Sequence, residues 1–167
     1  DSHAAVREVA FAGLGTFRDP QVDTVLIRGT QDLATGVRQT AIQHLGMRSY
    51  LLEQHNLVDV LLPGLWDLQP LVNQAAALAL GRLGTETAIQ SLAKVLQSPH
   101  TPPNLQVQIV RSLGWNEKES ALRPLITAYR MVPLAVQIEI VHVFSQLRSP
   151  QLQQQVSGVL LAWLAEL

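Results

Sequence analysis

Apolar and polar residues along this chain recur in a ten-residue phrase whose first, fifth, eighth and ninth positions are mostly apolar or small. The phrase starts at Val6 (VREVAFAGLG) and returns at Val37 (VRQTAIQHLG), Val72 (VNQAAALALG), Leu105 (LQVQIVRSLG) and Val136 (VQIEIVHVFS), at spacings of 31, 35, 33 and 31 residues. Apolar residues so spaced share one face of an α-helix, and a strand, which alternates by two, does not fit. Glycine closes the phrase at Gly15, Gly46, Gly81 and Gly114, where a left-handed helix terminus is expected.

A second helical pattern fills the intervals. Asp19 can cap a helix with Pro20 at its first position, followed by Val22, Val25 and Leu26, and Ser149-Pro150 repeats the device before Leu152, Val156, Val159, Leu160 and Trp163. Thr85 and Asn116 are the caps expected in the middle copies, ahead of Ala88, Ile89 and Leu92 and of Ala121, Leu122 and Leu125. The chain is therefore expected to be all-α, with about ten helices in five pairs forming one repeat domain over 1–167.

Paired helices at this spacing, the V-R-x-x-A-x-x-x-L-G second helix, an Asp five residues before its first Val (Asp1, Asp32, Asp67) and a Pro within the first helix (Leu62-Pro63, Arg123-Pro124) resemble HEAT repeats. More narrowly they look like the short HEAT-like repeat named after the phycobilisome lyases. The resemblance spans essentially the whole chain and implies a right-handed α-solenoid, with Asp and the second-position Arg forming a ladder between repeats. Both are kept by Asp1 with Arg7 and Asp32 with Arg38, whereas Asn73, Gln106 and Gln137 stand in the Arg position, so the charged ladder is expected to stop in the C-terminal half.

Composition narrows the function classes. Hydrophobic residues make up 47% and aromatics 5%, the make-up of tightly stacked helices. With 12 basic and 13 acidic residues, net charge −1 and no charged run, nucleic-acid binding is not expected. The absence of cysteine removes disulfides and thiolate chemistry. No stretch approaches the roughly 18 apolar residues that a membrane span needs, and Asp1-Ser2-His3 does not begin a signal peptide, so a cytoplasmic location is expected. The chain lacks an initiator Met, opens on a second-type helix and closes on the apolar run Trp163-Leu164-Ala165-Glu166-Leu167. It is expected to belong to a longer repeat protein and to associate end to end or as a heterodimer.

Candidate chemistry is sparse. Gly13-Leu14-Gly15 lacks the third glycine and the preceding strand of a phosphate loop. His3, His44, His55, His100 and His142 have no metal-ligand spacing; His44 falls at an inward position and reads as a hydrogen-bonded core or edge residue, while His142 lies one position off the inward stripe. Glu117 and Glu119 are expected to open a helix, where its N-terminus favours acids. The Pro-rich stretch 97–104 reads as a stiff surface insertion with His100 at its tip, or as a contact loop. The insertion 47–56 places Tyr50 and His55 near one edge. No catalytic residue, metal or cofactor is expected.

The remaining surface is the third, sixth and seventh positions of the repeated phrase, which in HEAT-like folds line the concave side. Down the stack these read Glu8, Gln39, Gln74, Val107, Ile138; Phe11, Ile42, Ala77, Val110, Val141; and Ala12, Gln43, Leu78, Arg111, His142. An apolar ladder flanked by Gln, Arg and His suggests a protein partner, a helix or loop, meeting Glu8, Phe11, Gln39, Ile42, Gln43, Gln74, Leu78, Arg111 and His142. The other reading buries the sixth position under the neighbouring helix. A non-enzymatic scaffold follows from the first reading. The family resemblance adds a second function, a subunit of a bilin lyase or phycobilisome-associated factor acting on phycobiliproteins, in which Tyr50, Trp66 and Arg111 would contact a tetrapyrrole; Trp66 is equally well explained as helix core.

Overall fold

The structure, a computed structural model, describes residues 2–165. Asp1, and with it the expected Asp1–Arg7 step of the ladder, lies outside the described residues, as do Glu166 and Leu167. Second-type helices are α1 (Ser2–Leu14), α3 (Thr35–Leu45), α6 (Pro70–Leu83), α8 (Pro103–Gly114) and α10 (Leu134–Ser145). First-type helices are α2 (Pro20–Gly29), α7 (Glu86–Gln97), α9 (Glu119–Ala128) and α11 (Pro150–Leu164). The remaining first-type element is broken into short 3₁₀ turns around α4 (Leu52–His55) and α5 (Leu57–Leu61). Its break falls at Asn56, which takes the left-handed conformation (φ 43°, ψ 55°) that asparagine tolerates better than most residues.

Successive second-type helices stack in order, α1 on α3, α3 on α6, α6 on α8 and α8 on α10, with α2 against α3 and α7 against α8. The inward stripe is as expected from Val37 onward: Val37, Ala41, Leu45, Val72, Ala76, Leu80, Leu105, Ile109, Leu113, Val136, Ile140 and Phe144 are buried. Each large member, Leu80 or Ile109 for example, contributes about 2 kcal/mol by leaving water. In the first copy the stripe is not covered. Val6 is 68% exposed because no described helix precedes α1 to lie on it.

Two expected caps are found: Asp19 accepts the Gln21 N–H at 2.7 Å, and the Thr85 hydroxyl accepts the Ala88 N–H at 3.2 Å. Asn116 is a correction. α9 starts at Glu119, and Asn116 instead donates to the carbonyl of Gly81, one repeat away, at 2.6 Å. Lys118 donates to the Gly84 carbonyl at 2.8 Å, so this turn caps the C-terminus of α6. Glu117 lies outside the helix, in a left-handed turn (φ 44°).

The closing glycines are also corrected. Gly46 is right-handed (φ −62°), and the left-handed terminus of α6 falls at Gly84 (φ 55°). Closing glycines are needed for close approach instead. A Cβ on Gly46 would stand 2.6 Å from the Cβ of Ala79, and one on Gly81 2.6 Å from that of Ser112. Gly15 meets His44 and Gly114 meets Val143 in the same way. The tenth position of each copy thus packs on the eighth position of the next, which sets the distance between stacked helices.

Candidate functional site

The ladder forms across copies. Arg7 pairs with Asp32 through two bonds of 3.0 Å, and Arg38 pairs with Asp67 at 2.7 and 3.0 Å. Each Arg therefore reaches the Asp of the following repeat, and Arg38 also donates back to the carbonyls of Asp32 and Leu33 at 2.8 and 3.1 Å. The hydrogen bonds from Arg7 and Arg38 hold the Asp32 and Asp67 carboxyls below the usual carboxylate range, against the opposing effect of burial. Further on, amides replace the cations: Asn73 donates to the Asp67 carbonyl at 3.4 Å, Gln106 to Leu96 at 3.0 Å and Gln137 to Val132 at 3.1 Å.

The insertion after Gly46 builds a second charged junction. Arg48, nearly fully buried, lies 3.0 Å from the carboxylate of Asp23, off line for a hydrogen bond from its Nε, and its terminal nitrogen donates to the carbonyls of Gly15 and Phe17 at 3.1 and 2.7 Å. The Tyr50 hydroxyl donates to the same Asp23 carboxylate at 3.0 Å; burial first, then this bond, raises its pKa. Tyr50 is thus engaged by Asp23, and Arg18 lies over its ring at 5.8 Å. His44 is half-buried against Gly15, and burial, then Arg48, lowers its pKa.

The surface expected to bind a partner divides. Ile42 is 1% exposed and leaves it: its side chain packs by Gly64 in the core, where the sixth position meets the first-type element that follows. Ala77 and Val110 are buried in the same way. Phe11 is partly buried over Gly29, and the Glu8 carboxylate sits over Gly36. Gln39, Gln43, Gln74 and Leu78 are half-buried. Val141, by contrast, is 36% exposed on α10.

Arg111 and His142, the seventh positions of adjacent copies, do come together. They line a groove of about 740 Å³ at the C-terminal ends of α8 and α10, with Trp115, Glu117, Glu139 and Arg148. Arg111 and Glu139 pair through bonds of 2.7 and 3.1 Å, which lower the Glu139 pKa and raise that of Arg111. His142 Nε2 lies 2.9 Å from Gln146 Nε2. Trp115 is 70% exposed, with Arg82 5.9 Å from its ring centre. The single-copy reading missed Glu139 and Trp115. Glu139 could have been found by setting the fourth position of one copy against the seventh of the copy before it. Trp115 carried a signal too, as a large aromatic immediately after a closing glycine.

Trp66 is 62% exposed at the opposite edge, and His100 is exposed in a loop pinned by the buried Thr101, whose hydroxyl donates to the Val95 carbonyl at 2.6 Å. Among the described residues no group of three or more His, Cys, Asp or Glu is placed to hold a metal ion, and no helix is long and apolar enough to cross a membrane.

Stacked pairs of helices with a repeat-to-repeat ladder define an α-solenoid repeat protein. The HEAT-repeat family model matches residues 35–103 and 58–142, and the chain belongs to that family. No curated protein matches it. Among solved structures it is similar to the complex of CpcE and CpcF of phycocyanin lyase from Nostoc sp. PCC7120, at 21% identity and a TM-score of 0.53, covering 83% of this chain and 64% of that one. Human deoxyhypusine hydroxylase in complex with glycerol matches at 14% identity and a TM-score of 0.47, covering 85% and 79% of the two chains.

Proposed function

We propose that the chain is a non-enzymatic scaffold for a protein partner, whose binding surface centres on the groove between α8 and α10. The observation that carries this reading is the groove itself: its volume suits a peptide segment, and the Arg111–Glu139 pair and exposed Trp115 are held on stacked helices. Arg111, though paired, is 59% exposed at its side chain and open to a carboxylate or carbonyl of a bound segment. Gln39, Gln43, Gln74 and Leu78 extend the surface along the stack. Affinity purification from native extract tests the reading: Arg111→Glu and Trp115→Ser should each lose the captured protein while leaving the circular dichroism unchanged. Retention by both variants would refute the groove.

A second reading rests on the likeness to the phycocyanin lyase complex: one solenoid chain working with another on a chromophore-bearing protein. The absorbance spectrum of the same eluate separates the two. A co-purifying bilin or phycobiliprotein supports the second reading, and colourless partners support the first.

A further inference from the structure

Charge is divided along the chain. Residues 1–81 carry five Lys or Arg against eight Asp or Glu, and residues 82–167 carry seven against five. The groove between α8 and α10 lies in the second, basic part, and the charge it shows to solvent is mostly positive. The Glu139 side chain is only 14% exposed, with both oxygens held by Arg111, whose own side chain is 59% exposed. Arg148 and, over the Trp115 ring, Arg82 are exposed, and among the described residues no carboxylate pairs with either. Lys118 beside the groove is likewise without an acid and holds only the Gly84 carbonyl. Against these cations the lining sets one further acid, the half-buried Glu117.

Arg111 has room for a second carboxylate. A guanidinium is a planar fork with two edges that suit a carboxylate, one formed by Nε and one Nη, the other by both Nη nitrogens. Arg38 of the ladder fills both ends: Nε and Nη2 hold Asp67, and Nη1 donates to the carbonyls of Asp32 and Leu33. Arg111 holds Glu139 through Nε and Nη2 in the same way, but its Nη1 makes no bond among the described residues. The vacant edge belongs to a side chain that lines the groove and is already fixed by Glu139, so filling it carries little ordering cost.

We propose that the groove takes an acidic segment of a partner protein, with one carboxylate on the free edge of Arg111, a second on Arg148, and an apolar side chain of the same segment against Trp115. This rests on the reading of the groove as a binding surface and adds the chemistry of its occupant. Glu139 is then a positioning residue, which aims the Arg111 fork without blocking its open edge. The surplus of positive charge draws an acidic segment in and rejects a basic one.

The test uses the full chain and two fluorescein-labelled peptides with blocked ends, one alternating leucine with glutamate and one alternating leucine with glutamine. The glutamate peptide should bind about tenfold more tightly or better, and lose that advantage in about 0.5 M salt. Arg111→Gln and Arg148→Gln should each weaken it about tenfold with unchanged circular dichroism. Arg123→Gln, which alters an exposed cation paired with Glu119 on α9 outside the groove, should bind as the parent does. Equal affinity for the two peptides overturns the proposal, as does parental binding by both groove variants. An oligothymidylate that displaces the glutamate peptide at a lower concentration than the peptide itself assigns these cations to phosphate, and overturns it too. The groove is judged separately. A protein captured from extract that Trp115→Ser loses, but that ignores salt and Arg148→Gln, keeps the binding surface and refutes its acidic occupant. No Trp115-dependent capture and no peptide binding refute both.

Discussion

In the N-terminal half, successive repeats are tied by charges that cross from a second-type helix to the turn before the next, Arg7 to Asp32 and Arg38 to Asp67, and the buried Arg48, in the turn after α3, adds a contact to Asp23 of α2. In the C-terminal half the same positions hold amides that bond to backbone carbonyls within their own repeat, and aromatics supply the closure. Trp163 of α11 stacks on Tyr129, with ring centres 3.6 Å apart and planes within 6°, and lies 6.1 Å from Phe144. An Arg–carboxylate pair spans two repeats and fixes their mutual register, whereas an amide bonded to its own turn only stiffens that turn. The difference should show as distinct sensitivities to acid and to substitution.

The largest effect is expected where the halves meet. Ala76, fully buried beside Gly64, has no room or partner for a charge, so Ala76→Asp should destabilise the chain by about 4 kcal/mol or more and abolish cooperative thermal unfolding in both halves together. A parental melting curve would mean that the inward face is misassigned. Next, Arg48→Ala leaves the Asp23 carboxylate buried without its cation and should cost about 3 kcal/mol in urea denaturation, whereas Arg48→Met with Asp23→Leu should recover most of the loss. Equal losses in the single and double variants would show that the carbonyl contacts to Gly15 and Phe17 matter more than the pair.

Smaller effects sharpen the contrast. Arg38→Ala removes a two-bond ion pair and two carbonyl contacts and should cost about 1–2 kcal/mol, while Gln137→Ala should cost about 1 kcal/mol or less. Hydrogen exchange should place the first loss between repeats and the second within one turn. Acid should act in the same direction. Asp32 and Asp67 have folded pKa values below their unfolded ones, so their contribution is complete above the unfolded value of about 4 and is lost as pH falls through the folded values. His44 adds a milder, earlier loss: its folded pKa is also lowered, so the unfolded state gains a proton first as pH falls below about 6.5. Amide exchange in α1–α3 should therefore quicken before that in α8–α9, and simultaneous opening on acidification would break the comparison. Glu139 also loses its pair with Arg111 at low pH, but at an exposed junction where the pair contributes little.

How much of this was legible depends on distance along the chain. The helices, the inward stripe from Val37 onward, the caps at Asp19 and Thr85 and the end of the charged ladder after Asp67 could be read from the sequence, because each depends on residues within about one or two helical turns. The direction of the ladder could not, since Arg7 and Asp32 stand 25 residues apart and only stacking brings them together. For the same reason the sequence leaves Ile42 open between surface and core: whether a sixth-position side chain meets water or a neighbouring helix depends on the spacing between helices. That spacing is set by the closing glycines against the eighth position of the next copy. Tertiary packing likewise decided that Arg111 and Glu139 face each other across a groove and that Tyr50 is engaged by Asp23. A sequence determines periodicity through local backbone geometry; which faces remain uncovered is decided only once the repeats are stacked at a definite distance and register.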